Sequence, residues 1–264
     1  MVKVLQSILS IDLIYSHLTV CQTTTILFDC DNTLVLSEEL AFEACAELAN
    51  EILAKNGRPE RYTGPQLLVD FVGQNFRGML LGLQQKFSLN ISDSELEEYV
   101  SLEETRVIRT LEAKLQPCDG VDAQLEKLAE SKKYLLAVVS SSALRRVKAS
   151  VKKVGQDKYF DTEHHIFSAA TSLPKPTSKP DPAIYLFAAK TLGKEPGECV
   201  AVEDSKSGTL SAVRAGIPVI AYVGPYEGKE KQAEMGKALL AQGALVVMEH
   251  WDQFEDCLAA VENS

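Results

Sequence analysis

The 264-residue sequence predicts an α/β fold: a mainly parallel sheet core with helices on both faces, plus an inserted all-helical segment. Short apolar runs alternate with helical stretches along the chain, an order that is typical of parallel sheets. This alternation stops between residues 39 and 115, where one helical pattern follows another with little strand character. The hydrophobic content of 45% suffices for one large core and a smaller second unit.

Five apolar runs have the length of strands and end in polar or small residues. They lie at 26–28, 135–139, 200–202, 219–223 and 245–248. Several helical patterns end at a glycine, which accepts the left-handed conformation of a helix C-terminus; these glycines are Gly57, Gly155, Gly193 and Gly216. We therefore expect an α/β core at 23–38 and 116–264, a helical cap at 39–115, and an N-terminal extension at 1–22.

The charge and composition of the chain argue against several classes of protein. A net charge of -10 and a pI near 5.0 disfavour nucleic-acid binding, because contacts to a phosphate backbone need clustered Lys and Arg. The six cysteines form no CxxC pair, which favours buried, reduced thiols in an intracellular protein over a disulfide framework. We expect a cytoplasmic monomer or homodimer without nucleic-acid or membrane partners.

The N-terminal stretch at 4–20 is apolar but interrupted by Gln6, Asp12 and His17. It is too polar to span a bilayer, and no small-residue cleavage site follows it. We interpret it as an extension of the core, with a targeting peptide as the alternative.

The first predicted strand leads directly into two carboxylates, Asp29 and Asp31, within the sequence FDCDNTL at 28–34. Ligands of open α/β sheets bind at this carboxyl edge of the strands. Residues two apart in an extended chain project the same way, so both carboxylates can face one small site. Such a pair repels itself unless a cation binds. A bare pair of this kind more often opens a surface loop, so other motifs must decide.

Polar clusters also follow the second strand and precede a later helix. The second strand runs into serines at 140–142 and a helix with Arg145 and Arg146; hydroxyls and amides there bind phosphate oxygens, although such serines are more often helix caps. In the segment SKPDPAIY at 178–185, prolines fix the loop and leave Lys179 on a stiff support. Lys175 competes for this role but is further from the helix start.

A fourth cluster, Glu203 and Asp204, ends the apolar run at 200–202. Consecutive acids at a strand end suit a hard cation such as magnesium, although alone they would more often cap a helix. The four clusters occur in the order and type that phosphoryl transfer requires, and this joint pattern is specific.

These four segments resemble the ordered signature motifs of the haloacid dehalogenase superfamily, in its phosphatase and beta-phosphoglucomutase-like branch with a helical cap inserted after the first motif. The resemblance covers residues 25–248, nearly the whole chain. It implies a Rossmann-like core and a magnesium-dependent phosphatase. Its substrate would be a small phosphorylated metabolite, such as a sugar or polyol phosphate, and its intermediate an aspartyl-phosphate.

The resemblance also implies a role for each motif residue. Asp29 would be the nucleophile and Asp31 the general acid and then the general base. The phosphoryl group would be bound by Thr33, Ser140, Ser141 and Lys179. Mg²⁺ would be bound by Asp29, by the backbone carbonyl of Asp31 and by Asp204, with Glu203 as a less certain ligand.

Two further positions concern the turn after Asp31 and the substrate. Asn32 replaces the glycine that the family most often has there; asparagine tolerates positive φ, so the turn should be kept. In the family the cap selects the leaving group, and the loop at 71–77 is the expected specificity loop. Its candidate residues are Gly73, Gln74, Asn75 and Arg77, although a solvated arginine is the equal alternative for the last.

Two other functions compete with the phosphatase. A phosphomutase of the beta-phosphoglucomutase type shares every core motif but places a histidine soon after the first motif, and 38–47 contains none. A non-catalytic binding protein with this fold would usually lack Asp29, Asp31 or Lys179, and all three are present.

Overall fold

The computed structural model describes residues 22–71 and 74–264. Within these ranges the chain forms a six-stranded sheet with the strand order β3-β2-β1-β4-β5-β6, and every neighbouring pair is parallel. The strands are β1 Thr25–Phe28, β2 Leu135–Ser140, β3 Ile166–Ser168, β4 Cys199–Glu203, β5 Val219–Tyr222 and β6 Val246–Met248. The predicted α/β fold with a mainly parallel sheet is confirmed.

Ten α-helices occur in the described ranges, and the first four of them follow β1 directly. These four are α1 Glu38–Lys55, α2 Gly64–Asp70, α3 Phe76–Phe87 and α4 Asp93–Lys114. The other six are α5 Val121–Ser131, α6 Leu144–Lys153, α7 Ala183–Thr191, α8 Lys206–Arg214, α9 Lys229–Ala241 and α10 Phe254–Glu262. None of the helices in these ranges is long and apolar enough to cross a membrane.

The strand Ile166–Ser168 was not predicted from the sequence. It has only three residues, too few to show a periodic pattern, and it follows the polar residues His164 and His165. Its position depends on pairing with β2, where Val138 faces Ile166. A long-range contact of this kind leaves no local signal in the sequence.

Both faces of the sheet are buried under helices. Phe28 and Val202 belong to one hydrophobic cluster, whereas their neighbours Leu27 and Ala201 belong to a second cluster on the other face. Successive side chains of a strand point to opposite faces, so a parallel sheet covered on both sides needs apolar residues at every position. The continuous apolar runs in the sequence have this cause.

The first four helices, α1 to α4, form the segment that we call the cap. Local sequence signals begin three of them: Thr63 and Ser92 form capping boxes, and the Asn75 side chain accepts a hydrogen bond from Gly78 N at 3.0 Å. The long helices α1 and α4 pack against each other, and α4 also packs against α6 of the core. The cap therefore lies against α6, the helix that follows β2. The exact limits of the two domains stay a prediction.

The buried cysteines agree with the prediction of reduced thiols. Cys30, Cys45, Cys118 and Cys257 are buried and form no disulfide, and Cys199 is buried in β4. Cys21 and most of the predicted N-terminal extension lie outside the described residues. Two histidines have acidic partners at the surface: His164 pairs with Asp161, and His250 pairs with Asp119.

An aromatic cluster fixes the C-terminal helix to the first strand. The Trp251 and Phe254 ring centroids lie 6.0 and 6.4 Å from that of Phe28. All three side chains are fully buried. Aromatic side chains of this size contribute much of the burial energy of a core.

We expect Phe254→Ala to lower the free energy of unfolding by about 3–5 kcal/mol, because it leaves a large cavity beside Phe28 and Trp251. Urea denaturation measures this change. Leu245→Ala is the control: Leu245 is 50% exposed, and its truncation should cost less than about 0.5 kcal/mol. Equal losses for the two variants would contradict the position of this cluster in the core.

Candidate active site

Three neighbouring strands deliver polar residues to one edge of the sheet. In the parallel register Phe28 lies beside Val138 on β2 and beside Val202 on β4. The residues that follow therefore emerge side by side, and Asp29 N donates a hydrogen bond to the Val202 carbonyl at 3.0 Å. The edge brings Asp29 together with Ser140 at the end of β2 and with Glu203 at the end of β4.

Lys179 reaches this edge from the loop before α7. Its Nζ donates to Asp29 Oδ1 at 2.5 Å, to Glu203 Oε1 at 2.6 Å and to the Val139 carbonyl at 2.7 Å. These partners match the three N–H donors of an ammonium group. The side chain is 3% exposed, whereas the competing Lys175 is exposed to solvent. The structure thus places Lys179, and not Lys175, in the site.

Three buried acids surround this single ammonium. Asp29, Glu203 and Asp204 each offer a carboxylate oxygen, and these oxygens lie within 4.8 Å of one another. Glu203 Oε1 also accepts a hydrogen bond from the Tyr185 hydroxyl at 2.6 Å, but Glu203 Oε2 is buried and has no partner among the described residues. An oxygen-only set with an unsatisfied buried carboxylate fits a hard divalent cation.

The start of α8 is shaped around Glu203. Ser205 caps the helix by accepting a hydrogen bond from Gly208 N at 3.0 Å. A Cβ atom added to Gly208 would lie 1.9 Å from Glu203 Oε2, which is too close for a side chain to fit beside this carboxylate. The glycine therefore allows the helix to approach the carboxylate. The Thr33 hydroxyl donates a hydrogen bond to the neighbouring acid, Asp204, with 3.4 Å between Oγ1 and Oδ1.

Burial raises the pKa of Asp29 to about 7; the Glu203 and Asp31 carboxylates add to this shift, and the Lys179 ammonium opposes it. The pKa of Asp204 is raised well above its usual range by burial and by Asp29 and Glu203. Burial disfavours the charged form of Lys179, yet the two carboxylates it contacts raise its pKa overall. One ammonium does not neutralise three acids, so the site favours an additional cation.

Asp31 is held apart from this trio by its own set of donors. Arg146 Nη2 and Ser142 Oγ donate to its two oxygens at 2.8 and 2.7 Å, and the Ser37 hydroxyl donates as well. Burial raises the pKa of the Asp31 carboxyl, but Arg146 and the serine hydroxyls outweigh it and lower the pKa overall. Ser140 Oγ lies 3.4 Å from the same carboxylate.

Asp31 is oriented by a tight turn, and not by the alternation of side chains along an extended strand that the sequence led us to expect. β1 ends at Phe28, and the backbone then reverses: the N–H groups of Thr33 and Leu34 donate to the Cys30 carbonyl. Asn32 has φ 57°, the left-handed conformation that its residue type tolerates. Both aspartates still border the same region, but through this turn.

Four residues of the site were missed from the sequence. Ser142 and Arg146 belong to the serine run and helix that the sequence singled out, and their contacts with Asp31 could be inferred only from the turn. Tyr185 lies in the segment with Lys179, where nothing local indicates that its hydroxyl meets Glu203. Nothing in the sequence indicates Ser37, because its contact with Asp31 depends on the path of the chain into α1.

A cavity of about 740 Å³ opens between this edge and the cap. Asp31, Lys179 and Asp204 lie on its floor. Ser141 also lines it, and the Ser141 Oγ accepts a hydrogen bond from Lys179 N at 3.2 Å. Pockets for small-molecule ligands commonly have volumes of about 300–1,000 Å³.

The predicted specificity loop contributes only part of the cavity wall. Gln74 and Asn75 line it, whereas Gly73 lies outside the described residues. Arg77 is not among the lining residues; it forms a bidentate ion pair with Glu97 at 2.7 and 2.5 Å. A role of Arg77 in substrate binding stays a prediction.

The parallel-sheet fold and the group of acids around Lys179 are features of one family of hydrolases. The family of haloacid dehalogenase-like hydrolases matches residues 26–222, and the chain belongs to this family.

Curated relatives narrow the class. A phosphorylated carbohydrates phosphatase of Thermotoga maritima is 31% identical over 223 residues, which cover 84% of this chain and 93% of that protein. A 6-phosphogluconate phosphatase of Escherichia coli is 26% identical over 74% of this chain and 80% of its own length. The predicted assignment to phosphoric monoester hydrolases of this family is confirmed.

A solved structure agrees with the fold. A haloacid dehalogenase-like protein from Agrobacterium tumefaciens superposes with a TM-score of 0.68 at 28% identity, covering 90% of this chain and 98% of its own. The predicted resemblance to the phosphatase and beta-phosphoglucomutase-like branch is confirmed by such neighbours.

The raised pKa of Asp29 predicts a pH-dependent stability. A carboxyl group with a pKa of 3.8 when unfolded and about 7 when folded stabilises the fold at low pH, and this contribution is lost as the pH rises through that window. In chelator, Asp29→Asn should therefore gain stability relative to the wild type between pH 4 and about pH 7, and the difference should level off above.

Urea unfolding at several pH values measures this difference. Asp256→Asn, which removes an exposed carboxylate on α10, is the matched control and should show no such trend. A constant difference for Asp29→Asn across the range would rule out the raised pKa.

Proposed function

We propose that this protein is a magnesium-dependent phosphatase that hydrolyses a sugar or polyol phosphate through an aspartyl-phosphate at Asp29. The observation that carries the proposal is the contact of Asp29 with Lys179 beside Glu203 and Asp204, because Lys179 and Asp204 line an open cavity. The two relatives, whose names specify a phosphorylated carbohydrate and 6-phosphogluconate, support the substrate class.

In the first step the Asp29 carboxylate attacks the phosphorus atom. The new bond joins a carboxylate oxygen to phosphorus, and the bond between phosphorus and the ester oxygen breaks. Lys179 holds Asp29 Oδ1 at 2.5 Å, so the carboxylate is already fixed beside the cavity before a substrate enters. Splitting one displacement into two easier ones is the usual gain of covalent catalysis.

Asp31 is the proton donor for the leaving alkoxide in this step and the proton acceptor in the next. Its contacts with Arg146, Ser37 and Ser142 favour the ionised form, which suits the second step. The negative charge of an entering phosphoryl group favours the protonated form needed first. In the second step Asp31 takes a proton from a water molecule, which attacks phosphorus and releases the Asp29 carboxylate and inorganic phosphate.

Mg²⁺ would be held by the carboxylates of Asp29 and Asp204 and by the backbone carbonyl of Asp31, with Glu203 as a further ligand or as a partner of the ligands. When bound, it neutralises negative charge on the phosphoryl oxygens. Lys179 contributes a second positive charge at the same place, and the hydroxyls of Ser140 and Ser141 border it. Thr33 fixes Asp204 through its hydroxyl.

We expect the purified protein with Mg²⁺ to release phosphate from sugar or polyol phosphates, and Asp29→Asn to lower kcat by about a thousandfold or more, because no covalent intermediate can form. A chelator should abolish the activity and added Mg²⁺ should restore it. Released phosphate is measured colorimetrically, with Asp256→Asn as the control that keeps wild-type activity.

Acid quenching followed by hydroxylamine treatment tests the intermediate, since hydroxylamine cleaves acyl phosphates. Labelled phosphate should be trapped on the wild-type chain and be absent from Asp29→Asn. Undiminished phosphate release by Asp29→Asn would contradict the proposal. Isomerisation of a sugar phosphate without phosphate release would instead identify a phosphomutase. A cytoplasmic location and a monomeric or homodimeric state stay predictions from the sequence.

A further inference from the structure

The wall of the cavity that the cap helices form carries several negative charges. Four glutamates line it: Glu38 on α1, and Glu97, Glu103 and Glu104 on α4. Glu97 is paired with Arg77. The nearest cation to Glu104 is the largely exposed Arg145, whose Nη1 lies 3.9 Å away. The wall is therefore acidic even before the catalytic aspartates are counted.

The cations that line the cavity in the described part of the chain are both engaged. Lys179 donates all three of its N–H groups to Asp29, Glu203 and the Val139 carbonyl. Arg146 contacts Asp31 through Nη2. Lys179 has no N–H group left for a second anionic group on a substrate, and Arg146 is already paired with the Asp31 carboxylate, with its unpartnered Nε buried.

Glu103 is the least compensated of the cavity glutamates. No lysine or arginine in the described ranges forms an ion pair with it, and it accepts a hydrogen bond from the Cys45 thiol, with Sγ 3.4 Å from Oε1. A thiol is a weak donor. Burial raises the pKa of Glu103, with the Arg146 charge opposing the shift. Such a carboxylate gains from a hydroxyl or ammonium donor supplied by a ligand.

An apolar part of the wall completes the site. Phe42, Phe76 and Met79 line the cavity together with the glutamates. Apolar side chains of this kind pack against the C–H groups of a carbon skeleton, while carboxylates accept hydrogen bonds from its hydroxyls. The cavity thus combines surfaces for a polyhydroxylated chain or ring, and the two cations among its described lining residues are already paired with acids of the site.

We propose that the cavity selects phosphate monoesters whose alcohol part is an uncharged polyol or carries an ammonium group, and rejects esters with a second anionic group, with Glu103 as a specificity-determining residue. This inference rests on the proposed phosphatase function and narrows its substrate class. A carboxylate or second phosphate on the substrate would meet like charges in a partly desolvated cavity, where repulsion is much stronger than in water.

The preference distinguishes this chain from its Escherichia coli relative, whose name specifies 6-phosphogluconate, a phosphorylated sugar acid. For this chain we expect the corresponding alcohol, glucitol 6-phosphate, to be the better substrate. The two esters differ only in a hydroxymethyl group against a carboxylate. Glycerol 3-phosphate and 3-phosphoglycerate form a second pair with the same difference and a shorter skeleton.

The experiment compares kcat/KM within each pair, with Mg²⁺ present, from released phosphate. We expect the alcohol to exceed the acid at least tenfold in any pair that is cleaved, and the ratio to fall when KCl is raised from 50 to 500 mM, because salt screens repulsion but does not change shape. Fructose 6-phosphate should likewise exceed fructose 1,6-bisphosphate, and glucosamine 6-phosphate should be cleaved at least as well as glucose 6-phosphate.

Glu103→Gln keeps the shape of the side chain and should reduce the alcohol-to-acid ratio at least threefold. Glu98→Gln is the matched control: it removes the same charge from an exposed position of α4 that does not line the cavity, and it should leave the ratio unchanged. Circular dichroism checks that both variants are folded. The ranking by the wild-type protein tests the inference even if Glu103→Gln is unstable.

The outcomes separate the two levels of the proposal. Efficient cleavage of a carboxylated ester, within threefold of its matched alcohol, would overturn the charge selection while leaving the phosphatase function intact. An equal change of the ratio in Glu98→Gln would overturn the role of Glu103. Absence of phosphate release from every ester would overturn the phosphatase function, and the selection with it.

Discussion

The ammonium group of Lys179 is the interaction on which the rest of the site depends. It connects three separate parts of the chain: Asp29 after β1, the Val139 carbonyl on β2 and Glu203 at the end of β4. Without it three buried carboxylates and their neighbours would face one another with no positive charge, which is a strongly unfavourable arrangement in a protein interior. The register of the parallel strands brings these groups within reach, and the lysine makes their closeness tolerable.

The same electrostatic constraint explains why the site is incomplete on its own. A single positive charge leaves the acids with excess negative charge; burial first, and then the neighbouring carboxylates, raise the pKa values of Asp29 and Asp204. Phosphoryl transfer needs positive charge at the place where the transferring oxygens lie. The cavity edge thus suits both a cation beside the acids and an anion beside Lys179, and the proposed charge selection adds the acids of the cap to this constraint.

The sequence predicts the sheet, and brings the candidate site residues to one of its edges, for a physical reason. Apolar runs are local, and in a parallel sheet their carboxyl ends meet at one edge, so residues such as Asp29 and Asp204 can be placed together without knowledge of the contacts between strands. The contacts that orient these residues are different. Tyr185 meets Glu203 and Arg146 meets Asp31 only because separate loops converge, and no spacing along the chain encodes that convergence. The three-residue strand β3 was missed for the same reason.

Gly208 shows how far such a site reaches into residues that have no chemistry of their own. Because the space beside Glu203 Oε2 cannot hold even a methyl group, the first turn of α8 can be built only from a residue without a side chain at that position. Helix propensity alone would favour almost any other residue there. A poor helix former is thus tied to the first turn of α8 by the carboxylate beside it, and any engineered version that seeks greater rigidity in this helix has to begin its changes beyond that turn.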